Sequence, residues 1–154
     1  MKFTSKTDIQ ATLNQTFAAI ADFEFYERHA MRSGAEIARV DALTQPGPGM
    51  MWAMRLEFRG KLHKVELELA DYDPPNALLF TGGTEGFDAI IKVDLMALSA
   101  RETRITVTLD LKPKSLAARL ILQSARLTKG TTNKRFRKRL NKFGTELENR
   151  IASA

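Results

Sequence analysis

Residues 103–151 read TRITVTLDLKPKSLAARLILQSARLTKGTTNKRFRKRLNKFGTELENRI. In the first part Ile105, Val107 and Leu109 alternate with polar residues, which is typical of a strand with one buried face. After Pro113 the apolar residues recur at intervals of three and four, which predicts an amphipathic helix. They are Phe136, Leu140, Phe143, Leu147 and Ile151. The chain is therefore predicted to end with a strand followed by its longest helix.

This terminal helix is predicted to include the upstream apolar residues from Leu116 onward. A helix of about 35 residues is roughly 50 Å long. Gly130 is followed by two threonines and is the point where we expect the helix to kink or break, because glycine is a poor helix former.

The region before this stretch, from Ala35 to Lys112, has a period of two and predicts about six strands. Turn residues separate the strands, in segments 45–49, 59–60, 73–76, 82–83 and 99–101. Such short connections favour antiparallel pairing, because parallel strands need crossover segments of a dozen or more residues.

The first 34 residues predict one strand and two short helices. Phe3, Ser5, Thr7 and Ile9 form the inward face of the strand. Apolar residues at helical spacing between positions 13 and 20 predict the first helix. Asp22 is placed to cap the second helix and Gly34 to end it in a left-handed conformation.

Length and composition are those of an ordinary globular protein. The chain has 154 residues, 44% hydrophobic and 27% charged, so we expect one domain spanning residues 1–154 with a single core. It contains no cysteine, which excludes disulfides and thiolate metal sites. The sequence shows no signal peptide or apolar span, and we expect a cytoplasmic protein.

Charge is distributed unevenly along the chain. Residues 1–110 contain 12 Lys/Arg and 16 Asp/Glu, whereas residues 111–145 contain 11 Lys/Arg and no acidic residue. A basic surface is therefore predicted on the C-terminal helix. Its residues are Lys134, Arg135, Arg137, Lys138, Arg139 and Lys142. The surface is either a solvated face or a site for anionic membrane, an acidic partner or RNA; exposed aromatic residues for stacking on nucleic acid are not interleaved with it.

The inward faces of the strands contain almost no residues suited to catalysis. His63 is the one inward residue of a type suited to acid/base catalysis near neutral pH. The inward faces contain neither paired carboxylates nor a nucleophile with its base, so they do not suit hydrolytic chemistry. The whole chain has two histidines, which argues against a metal site. Segment 82–86, GGTEG, is interpreted as a hairpin turn because it does not match a phosphate-binding loop.

Three segments carry a family resemblance: FAAIADFE at 17–24, DPPNALLF at 73–80 and TRITVTL at 103–109. In this order and spacing the chain resembles the START/Bet v1-like (SRPBCC) superfamily, the polyketide cyclase and lipid-transport group. The resemblance implies an α+β helix-grip fold with the order β-α-α-β6-α, in which a curved antiparallel sheet wraps around the C-terminal helix. It also implies a cavity for lipids, sterols, quinones or polyketides, and no universal catalytic residue. Many relatives have Pro and Trp soon after the aromatic that corresponds to Tyr26, where this chain has 27–30, ERHA, so the cavity entrance is expected to differ.

We therefore expect a module that binds a small hydrophobic molecule, such as a lipid, quinone or polyketide-like compound, without a cofactor or metal. The candidate ligand-binding residues are inward-facing residues of the strands and two residues of the second helix. They are Tyr26, His29, Trp52, Met54, Phe58, His63, Leu67, Phe80, Phe87 and Ile91. Two alternatives stay open: a cyclase or dehydratase that uses His63 as its acid/base, and an interaction protein that binds RNA, the ribosome or an acidic partner through the basic helix.

Overall fold

A computed structural model describes residues 1–58 and 60–154, with the backbone alone described at Phe58. The predicted turn residue Arg59 and the side chain of the predicted ligand residue Phe58 lie outside the described part. The elements in chain order are β1 (Lys2–Ile9), α1 (Leu13–Ile20), α2 (Phe23–Arg32), β2 (Glu36–Arg39), β3 (Met51–Phe58), β4 (Lys61–Asp73), β5 (Ala77–Gly83), β6 (Phe87–Ser99), β7 (Glu102–Pro113), α3 (Leu116–Leu127) and α4 (Lys129–Ser153).

The described strands form one seven-stranded sheet in the order β1-β7-β6-β5-β4-β3-β2. Every neighbouring pair is antiparallel. The connections after β4, β5 and β6 have two or three residues, and such short turns allow only antiparallel pairing of the strands they join. The α+β helix-grip architecture predicted from the sequence is confirmed.

Helix α4 packs closely on β1. Gly144 is buried at the contact, and a Cβ atom added to it would lie 3.0 Å from Cγ2 of Thr7 and 3.1 Å from Cγ2 of Ile9. One turn later Leu147 is fully buried in the core. Glycine at position 144 therefore lets the helix backbone approach the strand more closely than any side chain would permit.

The two N-terminal helices begin and end as predicted. Thr12 and Gln15 form a capping box at the start of α1, and the carboxylate of Asp22 accepts a hydrogen bond from the N–H of Phe25 at the start of α2. Gly34 follows α2 with a φ of +84°, the left-handed conformation that glycine adopts at little cost.

The predicted terminal helix consists of two helices. The break lies at Thr128, two residues before Gly130. The φ and ψ angles of Thr128 are −114° and 25°. The backbone N–H and the hydroxyl of Thr128 both donate to the Ala125 carbonyl, which ends α3 locally. Gly130 itself lies within α4.

The turn between β5 and β6 also differs from the prediction. Gly82 and Gly83 belong to β5, and the turn consists of residues 84–86. A Cβ atom at Gly82 would collide with the Glu66 carbonyl on β4, so this glycine permits close approach of two strands.

Candidate functional site

A partly open cavity of about 370 Å³ lies between the sheet, α2 and α4. Every strand from β2 to β7 contributes to its wall, and α4 closes it through Leu140 and Phe143. The lining residues are Ile20, Phe23, Tyr26, Glu27, Ile37, Trp52, Met54, Leu67, Phe80, Val93, Ile105, Val107, Leu140 and Phe143. Because nearly all of these side chains are apolar, burial of apolar surface is the main source of affinity available to a ligand here.

Three aromatic residues form one wall of the cavity. The ring centroids of Phe23 and Trp52 are 5.3 Å apart, and Phe80 lies 6.3 Å from each of them. Phe23 and Phe80 meet edge to face, an arrangement favoured by the ring quadrupoles. Trp52 is only 4% exposed, so its indole N–H needs a partner inside the protein.

That partner is Glu27 on α2, whose Oε1 accepts a hydrogen bond of 2.7 Å from Nε1 of Trp52. A carboxylate has about four acceptor positions. In the described part of the chain the indole is its one hydrogen-bond donor, which leaves acceptor capacity beside the cavity. Among the described lining residues, Glu27 is therefore the one that offers a carboxylate acceptor to a ligand.

Tyr26 lies beside Glu27, and its polar end is occupied by structural contacts. The hydroxyl donates to the Ala19 carbonyl at 3.0 Å and accepts from Nη2 of Arg150 at 3.4 Å. Burial raises the pKa of Tyr26, and the hydrogen bond from Arg150 opposes this shift. The aromatic ring, 6.3 Å from the ring of Phe143, is what Tyr26 offers to the cavity.

Arg150 joins α4 to α1 and α2 at this end of the cavity. Its Nη2 donates to the Ala19 carbonyl at 2.7 Å, and its guanidinium carbon lies 3.8 Å from the ring centroid of Phe25. A guanidinium stacked on an aromatic face is held by a cation–π interaction as well as by hydrogen bonds. This contact positions Tyr26 and fixes α2 over the sheet.

A charged cluster on β2 lies behind the Trp52 ring. The guanidinium of Arg39 is 5.9 Å from that ring and forms hydrogen bonds of 2.7 and 2.6 Å to Asp41. Asp41 also accepts from the N–H groups of Met51 and Leu43. These donors, Arg39 first, hold the pKa of Asp41 far below its ordinary value. The cluster anchors the loop between β2 and β3 beside the cavity.

The structure brings five of the predicted ligand residues to the cavity wall. They are Tyr26, Trp52, Met54, Leu67 and Phe80. His29 is exposed on α2 and stacks on Phe25 with 6.1 Å between the ring centroids, so it points away from the cavity.

His63, Phe87 and Ile91 are half-buried and are not part of the lining. His63 pairs with Leu56 near the β3–β4 turn, and Phe87 pairs with Pro113 at the start of β6. From α4, the described lining includes Leu140 and Phe143. The catalytic candidate His63 therefore lies outside the site.

Sequence reasoning missed Glu27 and Phe23 as cavity residues. They are four residues apart, and Tyr26 lies three residues after Phe23, so all three share one face of α2. The helical spacing around Tyr26 is the signal that identifies them. It was ambiguous because a carboxylate on a short helix is far more often solvated.

The described residues contain no group of three or more His, Asp or Glu side chains placed to hold a metal ion. The six predicted basic residues on α4, from Lys134 to Lys142, are all exposed. In the part of the chain described, no helix combines the length and the hydrophobicity needed to cross a bilayer.

Several solved structures share this architecture, although their sequences differ widely from this one. No family model and no curated protein matches the sequence. The chain is similar to the Zhui aromatase/cyclase from Streptomyces sp. R1128, with 13% identity and a TM-score of 0.70 over 98% of this chain and 95% of the other. It is also similar to Ara h 8.0201, with 16% identity and a TM-score of 0.64 over 100% and 99% of the two chains. A START superfamily protein from Mycobacterium smegmatis matches with 12% identity and a TM-score of 0.58 over 87% and 95%. At these identities the likeness shows the fold, which is the helix-grip fold of START/Bet v1-like proteins.

Proposed function

We propose that this protein binds a small hydrophobic ligand that carries one hydrogen-bond donor, such as a hydroxyl group. The observation that supports this is an apolar cavity of about 370 Å³ with one carboxylate, Glu27, in its wall. That volume lies near the lower end of the roughly 300–1,000 Å³ typical of ligand pockets. Burial of the apolar part of the ligand would supply most of the affinity. Glu27 would accept the hydrogen bond and so favour ligands that carry a donor.

One further feature supports binding over turnover. Tyr26 and Glu27 are the titratable residues among the described lining, and both already make structural hydrogen bonds. One structural neighbour is named an aromatase/cyclase, and another belongs to the START superfamily. A shared fold does not decide function, so the residues of the site carry the argument.

Calorimetric titration with two matched compounds tests the proposal. 2-Naphthol has one hydroxyl donor, and 2-methoxynaphthalene has the same ring system without it. We expect the naphthol to bind roughly tenfold more tightly, because a hydrogen bond to a charged group contributes about 1.5 kcal/mol or more. Glu27→Gln retains an acceptor for the indole N–H and removes the charge, so this preference should shrink by most of that factor. Equal affinity of the wild type for both compounds would refute the role of Glu27.

The location of the site is tested separately on β6. Val93→Phe adds bulk inside the cavity, whereas Ile90→Phe adds it to the exposed side of the same strand. Only the first substitution should weaken binding of both compounds. If both variants bind like the wild type, the cavity is not the binding site, whatever Glu27 does. Native mass spectrometry of the purified protein, repeated after denaturation, would reveal a co-purifying ligand.

A further inference from the structure

Helix α3 has two apolar faces on opposite sides. On one side Ala118 and Leu122 are buried against the protein. On the other side lies the outer stripe, which we define as Leu116, Leu120 and Leu127, with exposed fractions of 72%, 54% and 89%. At about 100° per residue these three leucines fall within roughly 40° of one another around the helix axis. The three leucines therefore lie on one exposed face of α3, with the exposed Gln123 between Leu120 and Leu127.

This surface is unusual for a helix at the edge of a protein. Single exposed leucines are normal, but a stripe of them along one helix face marks a surface that contacts something apolar. The sequence that contains α3 has no acidic residue: residues 111–145 include 11 Lys/Arg and neither Asp nor Glu. An apolar stripe in an entirely basic segment matches the two parts of an anionic bilayer, its acyl region and its phosphate headgroups.

Two arginines lie beside the outer stripe, both on the same side of it. Arg119 and Arg126 are exposed, and both line a cleft of about 270 Å³ between α3 and the N-terminus. Both lie on one side of the stripe, within about 100° of it around the helix. Guanidinium groups bind phosphate oxygens well, so this position suits lipid headgroups while the leucines enter the acyl boundary.

We propose that α3 docks on anionic membranes, with the outer stripe inserted at the interface and Arg119 and Arg126 on the phosphates. RNA offers no apolar surface to the leucines, so the stripe favours lipid over nucleic acid. The helix has 12 residues, or about 18 Å, which is enough to lie in the interface and too short to span a bilayer. This docking does not depend on the ligand proposed for the cavity.

Sedimentation with lipid vesicles tests the proposal. We expect the protein to bind phosphatidylcholine vesicles that contain about one third phosphatidylserine, to bind pure phosphatidylcholine weakly, and to dissociate as salt is raised. The double variant Leu120→Gln, Leu127→Gln should lower the affinity roughly tenfold or more, since two exposed leucines no longer enter the bilayer. Arg119→Glu with Arg126→Glu should lower it as well.

The matched control is Leu62→Gln with Met96→Gln, two exposed apolar residues on the sheet. It should bind vesicles like the wild type. Unchanged Trp52 fluorescence would show that each variant is folded. Salt-sensitive vesicle binding that survives loss of the outer stripe would overturn the proposal and assign binding to the basic charge alone. Absence of vesicle binding together with retention on a polyuridine RNA would overturn it in favour of nucleic acid.

Discussion

Replacing Gly144 with valine should loosen the contact between α4 and β1. The added Cβ would lie 3.0 and 3.2 Å from Cγ2 and Oγ1 of Thr7 and 3.1 Å from Cγ2 of Ile9. These distances are shorter than ordinary contacts of about 3.5–4.0 Å between carbon atoms. Thr7 and Ile9 are β-branched and Ile9 is 1% exposed, so neither side chain moves aside freely.

The magnitude follows from two opposing effects. Overpacking a well-filled core costs about 1–3 kcal/mol. Valine is a better helix former than glycine by a few tenths of a kcal/mol, which offsets a small part of that cost. We therefore expect Gly144→Val to lower the free energy of unfolding by roughly 1–3 kcal/mol, which lowers Tm by about 2–12 °C in a protein of this size.

The matched control is the same substitution at Gly130, which is also in α4. A Cβ at Gly130 meets no heavy atom within 4 Å. Gly130→Val should therefore change the free energy of unfolding by less than about 0.5 kcal/mol. Urea unfolding followed through Trp52, the single tryptophan, measures both variants. Equal stability of the two variants would refute the inference that Gly144 seats α4 on β1.

Three further substitutions have expected outcomes. The folded-state pKa of Asp41 lies below its unfolded value because of Arg39, so its contribution to stability is complete above about pH 4 and disappears as the pH falls toward the folded pKa. Asp41→Asn should be less stable than the wild type in urea at pH 7 and should lose less stability between pH 4 and pH 2. Thr103→Val removes a fully buried hydroxyl that donates to the Ala11 carbonyl at 2.9 Å, and urea unfolding should show a loss of about 1–3 kcal/mol. Arg150→Met should speed amide hydrogen exchange in α2, because the guanidinium joins that helix to α4; unchanged exchange would contradict this role.

The fold could be predicted from periodicity because each element has its own local pattern. Alternation in residues 103–111 and helical spacing from Phe136 to Ile151 identify the last strand and the last helix. The break at Thr128 could not be predicted in the same way. Gly130 is the weaker helix former, yet the helix ends where the Thr128 hydroxyl and N–H bond to the preceding turn.

The candidate site was predicted only in part. Alternation places Trp52, Leu67 and Ile91 on the same face of the sheet, and it does not say how far along the strands the cavity extends. Val93 lines the cavity whereas Ile91, two residues earlier on β6, does not, and this boundary depends on how the helices pack on the sheet.

The sequence by itself determined the element order, the inward faces of β1, β3, β4, β6 and β7 and the basic character of residues 111–145, because these depend on spacing and composition along the chain. Tertiary structure alone decided that Glu27 meets the Trp52 indole and that the outer stripe of α3 stays uncovered. Both results depend on the angle and depth at which a helix packs on the sheet, and many distant contacts set these together. No local sequence pattern predicts the Glu27 contact or the uncovered face of α3.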